Sequence, residues 1–251
     1  MIRFVLDLLH NSDYVPFRVF LSRFFTSKKR RILSYARDLL FLFSSFCLHA
    51  DSIAPAGFWL GTSAQDQYHF DAPLIEGISD LFTKDHAISI VDFGCGDGKY
   101  QEFLLKKGFY AEAYDGNPDT LLITQGRAGI QDLSIPFDLG KQFDWVISLE
   151  VGEHLPQQFE RIFIENLMRH TSKGIVLSWA VPGQGGHGHF NEQSNEYIKK
   201  VMASYGWYND VKAEKLLRKK ASIYWFKNTI MVFRFQEGAF PVAASTLNPS
   251  I

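Results

Sequence analysis

The sequence predicts an α/β protein built on a doubly wound, mainly parallel sheet with helices on both faces. Two observations carry that expectation. From residue 87 onward, short apolar runs of strand length alternate with amphipathic segments of helix length. The unusual glycines, carboxylates and histidines fall directly after those runs, at the strand ends where open parallel sheets bind ligands. Composition sets the outer bounds. The chain has 251 residues, 46% hydrophobic and 21% charged, which excludes a disordered tail protein or a fibrous rod. Lys and Arg total 26 against 27 Asp and Glu, so there is no overall basic footprint for holding duplex nucleic acid through its phosphates. The cysteines, Cys47 and Cys95, lie far apart in unlike contexts. They support neither a disulfide framework nor a Cys-based zinc site, and the chain reads as reduced and cytoplasmic.

Four segments are expected: 1–50, 51–86, 87–236 and 237–251. Residues 1–50 read as a helical extension, with the basic cluster Lys28 to Arg31 followed by the apolar runs Leu39 to Phe43 and Phe46 to Leu48. The order of basic stretch, apolar run and small residue (Ala50) is that of a secretory signal. However, it starts late, Arg37 and Asp38 interrupt the apolar stretch that begins at Ile32, and Leu48 is bulky where a cleavage site needs a small residue. The run is shorter than the ~18 apolar residues of a membrane span, so no transmembrane segment is expected. Self-packing helices, a membrane-surface segment and a targeting segment stay open, and with them a targeted or membrane-associated location. Residues 51–70 read as loop, containing Gly57-Phe58-Trp59-Leu60-Gly61, and the spacing of Leu74, Ile75, Ile78, Leu81 and Phe82 predicts a helix over 72–83. The tail, with Pro241 and Pro249, reads as flexible.

In the central segment, Ile88, Ile90, Val91 and Phe93 predict a strand that runs into Asp92-Phe93-Gly94-Cys95-Gly96-Asp97-Gly98 and then a helix from Lys99 to Lys107. Glycines in such a loop let backbone approach a ligand closely, and the next helix offers unpaired N–H groups. The spacing G-x-G-x-G differs from the G-x-G-x-x-G of dinucleotide enzymes and disfavours a nucleotide-dependent oxidoreductase. A second strand over 108–114 delivers Asp115, 17 residues after Gly98, where a carboxylate can accept both hydroxyls of a ribose. Asp115-Gly116-Asn117-Pro118 is also a plain turn sequence. Asp132-Leu133 follows, then the apolar run Phe143 to Leu149, the turn Glu150-Val151-Gly152-Glu153-His154-Leu155-Pro156, a helix over 157–170 and a strand over 174–180.

Together, Val91 to Gly98, Asp115, Asp132-Leu133 and Leu149 to Pro156 resemble the class I S-adenosylmethionine-dependent methyltransferases over roughly residues 86 to 235. The resemblance implies a Rossmann-like seven-stranded sheet with a reversed last strand, for which Thr229 to Phe235 is the natural segment. It implies S-adenosylmethionine as cofactor, held by Asp92, Gly94, Cys95, Gly96 and Gly98 at the methionine part. Asp115 and Gly116 would meet the ribose, Asp132 and Leu133 the adenine, and Glu150 also falls in the cofactor set. The turn 149–156 and the loop Val181 to Glu192 resemble an uncharacterised bacterial-type group associated with glycan or small-molecule methylation.

Transfer to a hydroxyl requires loss of its proton, hence a base or a metal. Glu150, Glu153 and His154 are spaced i, i+3, i+4, which in a helical turn puts them on one face. With a further ligand from His189 (or His187) they could hold Mg or Mn. E-x-x-E-H resembles the metal pattern of quinone-biosynthesis and small-RNA O-methyltransferases; a metal-free role with His154 as base and a purely structural turn remain open. Glu153, His154 and His189 are the expected catalytic residues, with His189 fixed by a helix starting at Phe190-Asn191-Glu192. The glycine-rich loop over 182–190 suits movement over a site. Trp179 could line the acceptor pocket or fill the core, Tyr224-Trp225-Phe226 is expected to pack the sheet, and the Lys212 to Lys220 run reads as a solvated face. The expected activity is O-methylation of a sugar or other small-molecule hydroxyl. A metal-dependent RNA 2′-O-methyltransferase and a non-catalytic scaffold are the alternatives.

Overall fold

The computed structural model describes residues 53–62 and 68–235. The expected extension over 1–50 and the tail over 237–251 lie outside the described residues. Helix α1, Ala72–Lys84, forms because Asp71 caps it, its carboxylate accepting from Leu74 N at 3.0 Å, and because Pro occupies its first turn. Leu74, Ile75, Ile78, Leu81 and Phe82 are the buried face the spacing predicts. Next come β1 (Ser89–Phe93), α2 (Lys99–Lys106), β2 (Tyr110–Asp115), α3 (Thr120–Ile123), β3 (Gly129–Ile130) and β4 (Phe143–Ser148). The chain continues through α4 (Glu160–Arg169), β5 (Thr171–Leu177), α5 (Asn195–Ser204), β6 (Trp207–Asn209), α6 (Val211–Lys220), α7 (Phe226–Thr229) and β7 (Met231–Phe235).

The seven strands form one sheet in the order β3-β2-β1-β4-β5-β7-β6. All pairings are parallel except those of β7, which runs against both β5 and β6. The alternation of side chains divides the core in two. Ile90, Trp145, Ile147, Val176 and Val232 face α1, α2 and α6, whereas Val91, Val146, Ile175, Leu177 and Phe233 face α4 and α5. Gly174 on β5 is required by packing, because a Cβ there would strike the Trp145 ring on β4. The strand expected over 174–180 runs instead from Thr171 to Leu177, since its ladder starts where Phe143 pairs with Thr171.

Two polar anchors brace this frame. The buried Asp71 carboxylate also accepts from Ser222 N, Ser222 Oγ and Ile223 N at 2.7–3.0 Å, tying α1 to the loop before α7. Arg234 on β7 pairs with Asp85 at 2.5 Å and Asp210 at 2.7 Å while its guanidinium lies 5.0 Å from the Trp145 ring centre. The basic run on α6 is a solvated face as read, with Arg218 against Glu214 at 3.4 Å and Lys220 near Asp80 at 3.6 Å. No helix among the described residues is long and apolar enough to cross a membrane.

Candidate active site

The β1–α2 loop turns sharply because Gly94, Gly96 and Gly98 all adopt positive φ (80°, 55° and 74°), a region side chains with a Cβ rarely enter. Gly94 N and Cys95 N donate to Tyr114 O, and Gly96 N donates to Asp115 Oδ2 at 2.9 Å. Asn117 N donates to the other Asp115 oxygen at 2.9 Å, so the carboxylate at the end of β2 is aimed by backbone from both sides. A carboxylate offers about four lone-pair sites, and these two bonds leave capacity for a ligand. Burial raises the Asp115 carboxyl above its ordinary range, against the backbone hydrogen bonds that lower it.

Asp92, one residue before the end of β1, is buried and its Oδ2 has no hydrogen-bond partner. Burial, with the Asp115 and Asp97 carboxylates beside it, pushes its pKa up to about 8. Both carboxylates line a cavity of about 320 Å³ at the C-terminal edge of the sheet. Gly94, Cys95, Gly96, Gly116, Asp132, Leu133, Glu150, His154 and His189 line the same cavity, as does His187. Of the sequence-predicted site residues, Gly98 and Glu153 do not; Gly98 caps α2 behind the loop.

The turn after β4 departs from the helical reading. Glu150 has a φ of 53°, a left-handed conformation uncommon for a residue with a side chain, and its N–H donates to Ser178 Oγ at 2.7 Å. Only Gly152–His154 forms a helical turn, of the tighter three-residue kind. Glu150 therefore does not share a helical face with Glu153 and His154, although its charge still acts on Glu153. Its carboxylate accepts from Gln184 Nε2 at 2.7 Å and Thr229 Oγ1 at 3.1 Å, bridging the loop after β5 to α7. The group that does converge is Glu153, His154 and His189, whose ligand-capable atoms lie within 4.8 Å of one another.

Glu153 is fully buried with neither carboxyl oxygen hydrogen-bonded, and burial followed by the Glu150 charge raises it well above the ordinary range. Its backbone oxygen accepts from Phe190 N and Asn191 N, which holds the glycine-rich loop to the turn. His154 Nδ1 lies 3.0 Å from Gly188 O and 3.5 Å from Trp59 Nε1; the shorter contact, to an oxygen that can only accept, favours the proton on Nδ1 and leaves Nε2 as acceptor. Burial, then the neighbouring His189, lowers the His154 pKa to about 4. The His154 and His189 rings meet edge-on with centres 5.0 Å apart, and His189 Nδ1 lies 3.1 Å from Glu192 Oε1. Glu192 also accepts from Gly183 N and Gly185 N at 2.7 Å, so one carboxylate both shapes the loop and orients His189.

The helix expected at Phe190-Asn191-Glu192 begins at Asn195 instead, capped by Ser194. Asn191 is held elsewhere: its N–H goes to Glu153 O, its Nδ2 to Glu160 Oε2 at 2.8 Å, and its carbonyl accepts from Trp179 Nε1 at 2.6 Å. Those bonds and the contact of its ring with Gly152 make Trp179 a core residue, not a pocket wall. Trp225 packs against the core as expected, Phe226 is buried as expected and Tyr224 is exposed, and all three also line the cavity.

Sequence reasoning missed the aromatic cover from the lead-in segment. Phe58 lies on Gly116, where a Cβ would come within 2.6 Å of its ring, and Tyr68 lies on Gly96, where the distance would be 2.7 Å. Trp59 stands edge-on to both His154 (5.6 Å) and His187 (5.7 Å). The available signal was two aromatics between Gly57 and Gly61, with Tyr68 further along the same loop segment, a place where exposed rings have no core of their own to fill.

No family model matches the chain. A stretch of 108 residues is 33% identical to a probable chloroplastic tocopherol O-methyltransferase of Oryza sativa subsp. japonica; it covers 36% of this chain and 29% of that protein's length. Among solved structures, the sugar N-methyltransferase KedS8 from Streptoalloteichus sp superposes with a TM-score of 0.53 at 14% identity, covering 66% of this chain and 87% of that one. A TehB-like SAM-dependent methyltransferase from Corynebacterium glutamicum gives 0.52 at 17% identity (69% and 93%). Magnesium protoporphyrin IX methyltransferase from Synechocystis, with bound SAH, gives 0.50 at 18% identity (64% and 82%). Identities this low speak for the fold alone: the chain shares the fold of these methyltransferases.

Proposed function

We propose that the protein transfers a methyl group from S-adenosylmethionine to the hydroxyl of a small-molecule acceptor. One observation carries this reading: a buried Asp92 carboxyl with an unpartnered oxygen shares a cavity with Asp115, the glycine loop and a neutral His154. These residues fit the cofactor. Asp92 offers a buried counter-charge for an ammonium group, which would draw its carboxyl back toward ionisation. Gly94 and Gly96 allow close backbone approach, Asp115 has acceptor capacity for ribose hydroxyls, and Asp132 and Leu133 offer a polar edge and an apolar face for adenine. When bound, the cofactor supplies an electrophilic methyl group on a sulfonium.

His154 Nε2 is the acceptor for the hydroxyl proton. A base with a pKa near 4 does not ionise a free alcohol, so it takes the proton late, once the oxygen has begun to bond carbon and the O–H has become strongly acidic. His189, beside it and paired with Glu192, receives the proton next. Glu153, held neutral by burial, is a poor base here and does not compete for that role.

The similar proteins are a tocopherol O-methyltransferase, a sugar N-methyltransferase and a magnesium protoporphyrin IX methyltransferase, so likeness of fold does not choose among acceptors. The intact acidic residues and cavity favour an enzyme over a scaffold, and the basic residues of α6, none of which lines the cavity, offer nothing there to an RNA backbone. A divalent cation on Glu153, His154 and His189 is the second reading, favoured by their convergence. Two imidazoles and one carboxylate suit a transition metal better than Mg²⁺, with Mn²⁺ the better of the two expected ions. The test is methyl transfer from S-adenosylmethionine to a panel of hydroxyl compounds, with chelator or with Mn²⁺. Transfer that survives chelation and is lost in His154→Ala supports the base reading; transfer restored only by Mn²⁺ supports the metal; no transfer to any acceptor counts against both.

A further inference from the structure

We propose that the acceptor binds in an apolar groove on the outer side of the histidine cluster, and that it is a hydroxy compound with an apolar carbon skeleton, such as an alkylphenol or long-chain alcohol. The inference deepens the methyltransferase reading and rests on it for the role of the hydroxyl. A second cavity of about 750 Å³ is walled by Ile53, Ala54, Pro55, Leu60, Pro156 and Phe190. Its remaining lining residues are Gly186, His187, Gly188 and His189. Gly186, His187 and His189 also line the cavity assigned to the cofactor, so the two spaces share one wall. A molecule in the outer groove would therefore meet the imidazoles with one end while its body lay along aliphatic and aromatic side chains.

The groove is built from defined packing. Ala54 N donates to Phe58 O and Gly57 N to Ala54 O, both at 2.8 Å, and Ile53 pairs with Trp59 across the turn. Gly57, with a φ of 97°, lets this turn sit on His154 O, which a Cβ would strike. Gly188, with a φ of 78°, receives the Ile53 side chain in the same way. Phe190, 58% exposed, stands in the lining as an uncovered apolar ring among the described residues.

The lining also says what does not fit. Among the described residues no charged side chain, amide or hydroxyl lines the groove; its polar groups are backbone and the imidazoles of His187 and His189. A sugar buried there would leave most of its hydroxyls without partners, at a cost for each. An apolar skeleton loses nothing on burial and gains with every methylene removed from water. The single hydroxyl at its end is the group that would reach past this wall to His154 in the adjoining cavity.

The test is calorimetric titration of the full chain with 4-alkylphenols of increasing chain length and with methyl glucoside, each with and without S-adenosylhomocysteine. Affinity is expected to rise about fourfold per added methylene over the first few, the equivalent of ~0.8 kcal/mol each. Methyl glucoside is expected not to bind. Phe190→Ser and Leu60→Ser should flatten the chain-length dependence while S-adenosylhomocysteine affinity stays within twofold, which also shows the variants are folded. Affinity indifferent to chain length, glucoside binding as tight as the alkylphenols, or a dependence unchanged in both variants would overturn the inference. Chain-length dependence without any S-adenosylhomocysteine binding would instead overturn the cofactor reading and leave the groove standing.

Discussion

Replacing Asp92 by Asn should stabilise the ligand-free protein at alkaline pH and weaken cofactor binding at the same time. A carboxyl whose folded pKa is raised binds a proton in the native state that the unfolded chain has already released. Its contribution to stability is thus fully present below the unfolded value and is lost as pH rises toward the folded one. For Asp92 the window runs from 3.8 to about 8. At 1.36 kcal/mol per unit, that span sets a ceiling of about 6 kcal/mol on the cost of ionising Asp92 in the empty site. The Asn amide introduces a buried donor with its own cost of about 1–3 kcal/mol, leaving a net gain of about 3 kcal/mol above pH 8. In a chain of this size that corresponds to a rise in Tm of roughly 6–12 °C. Thermal unfolding followed by circular dichroism at pH 5 and pH 8.5 measures it. Wild type should lose stability between the two pH values more steeply than Asp92→Asn, and S-adenosylhomocysteine should narrow the gap by supplying the ammonium. Parallel profiles for the two proteins would refute the reasoning.

Asp115→Ala should lower S-adenosylhomocysteine affinity about 10- to 100-fold, the loss of charge-assisted hydrogen bonds worth roughly 1.5–3 kcal/mol, with an unchanged circular dichroism spectrum; calorimetry reads the first quantity. His154→Ala should lower turnover about 10²- to 10⁴-fold with cofactor affinity nearly intact, as steady-state rates with a turned-over acceptor would show. Because burial holds His154 neutral down to about pH 4, the pH–rate profile should show no loss near pH 6.5 and should fall only toward pH 4. Gly152→Ala drives a methyl group into the Trp179 ring and should destabilise the fold by about 1–3 kcal/mol, read by urea unfolding.

The sheet was legible because its signals are local. The runs around Val91, Val146 and Ile175 are apolar on both faces, as strands covered by helices must be, and the glycines after β1 mark a turn that side chains could not make. Strand β6 was not legible, being three residues that form a strand only by pairing with β7. The candidate site divides the same way. Asp92, Asp115 and the β1–α2 loop sit on regular elements whose ends follow from strand periodicity. The turn at Glu150 to His154 does not, since its shape is set by Ser178, Gln184 and Thr229, none of them near in sequence. Likewise nothing local tells that Asn191 is pinned by Glu153 and Glu160 instead of opening a helix, or that Phe58, Trp59 and Tyr68 cover the cavity. Spacing reports which residues share a face only where the backbone is regular, and this site lies where it is not.

The central claim, that the cavity at the ends of β1, β2 and β4 is a cofactor site for S-adenosylmethionine, is tested most directly by calorimetric titration with S-adenosylhomocysteine, using NAD(H) as control. Saturable one-to-one binding of S-adenosylhomocysteine alone is the predicted result. Absence of binding by demonstrably folded protein, or binding of NAD(H) in its place, would contradict it.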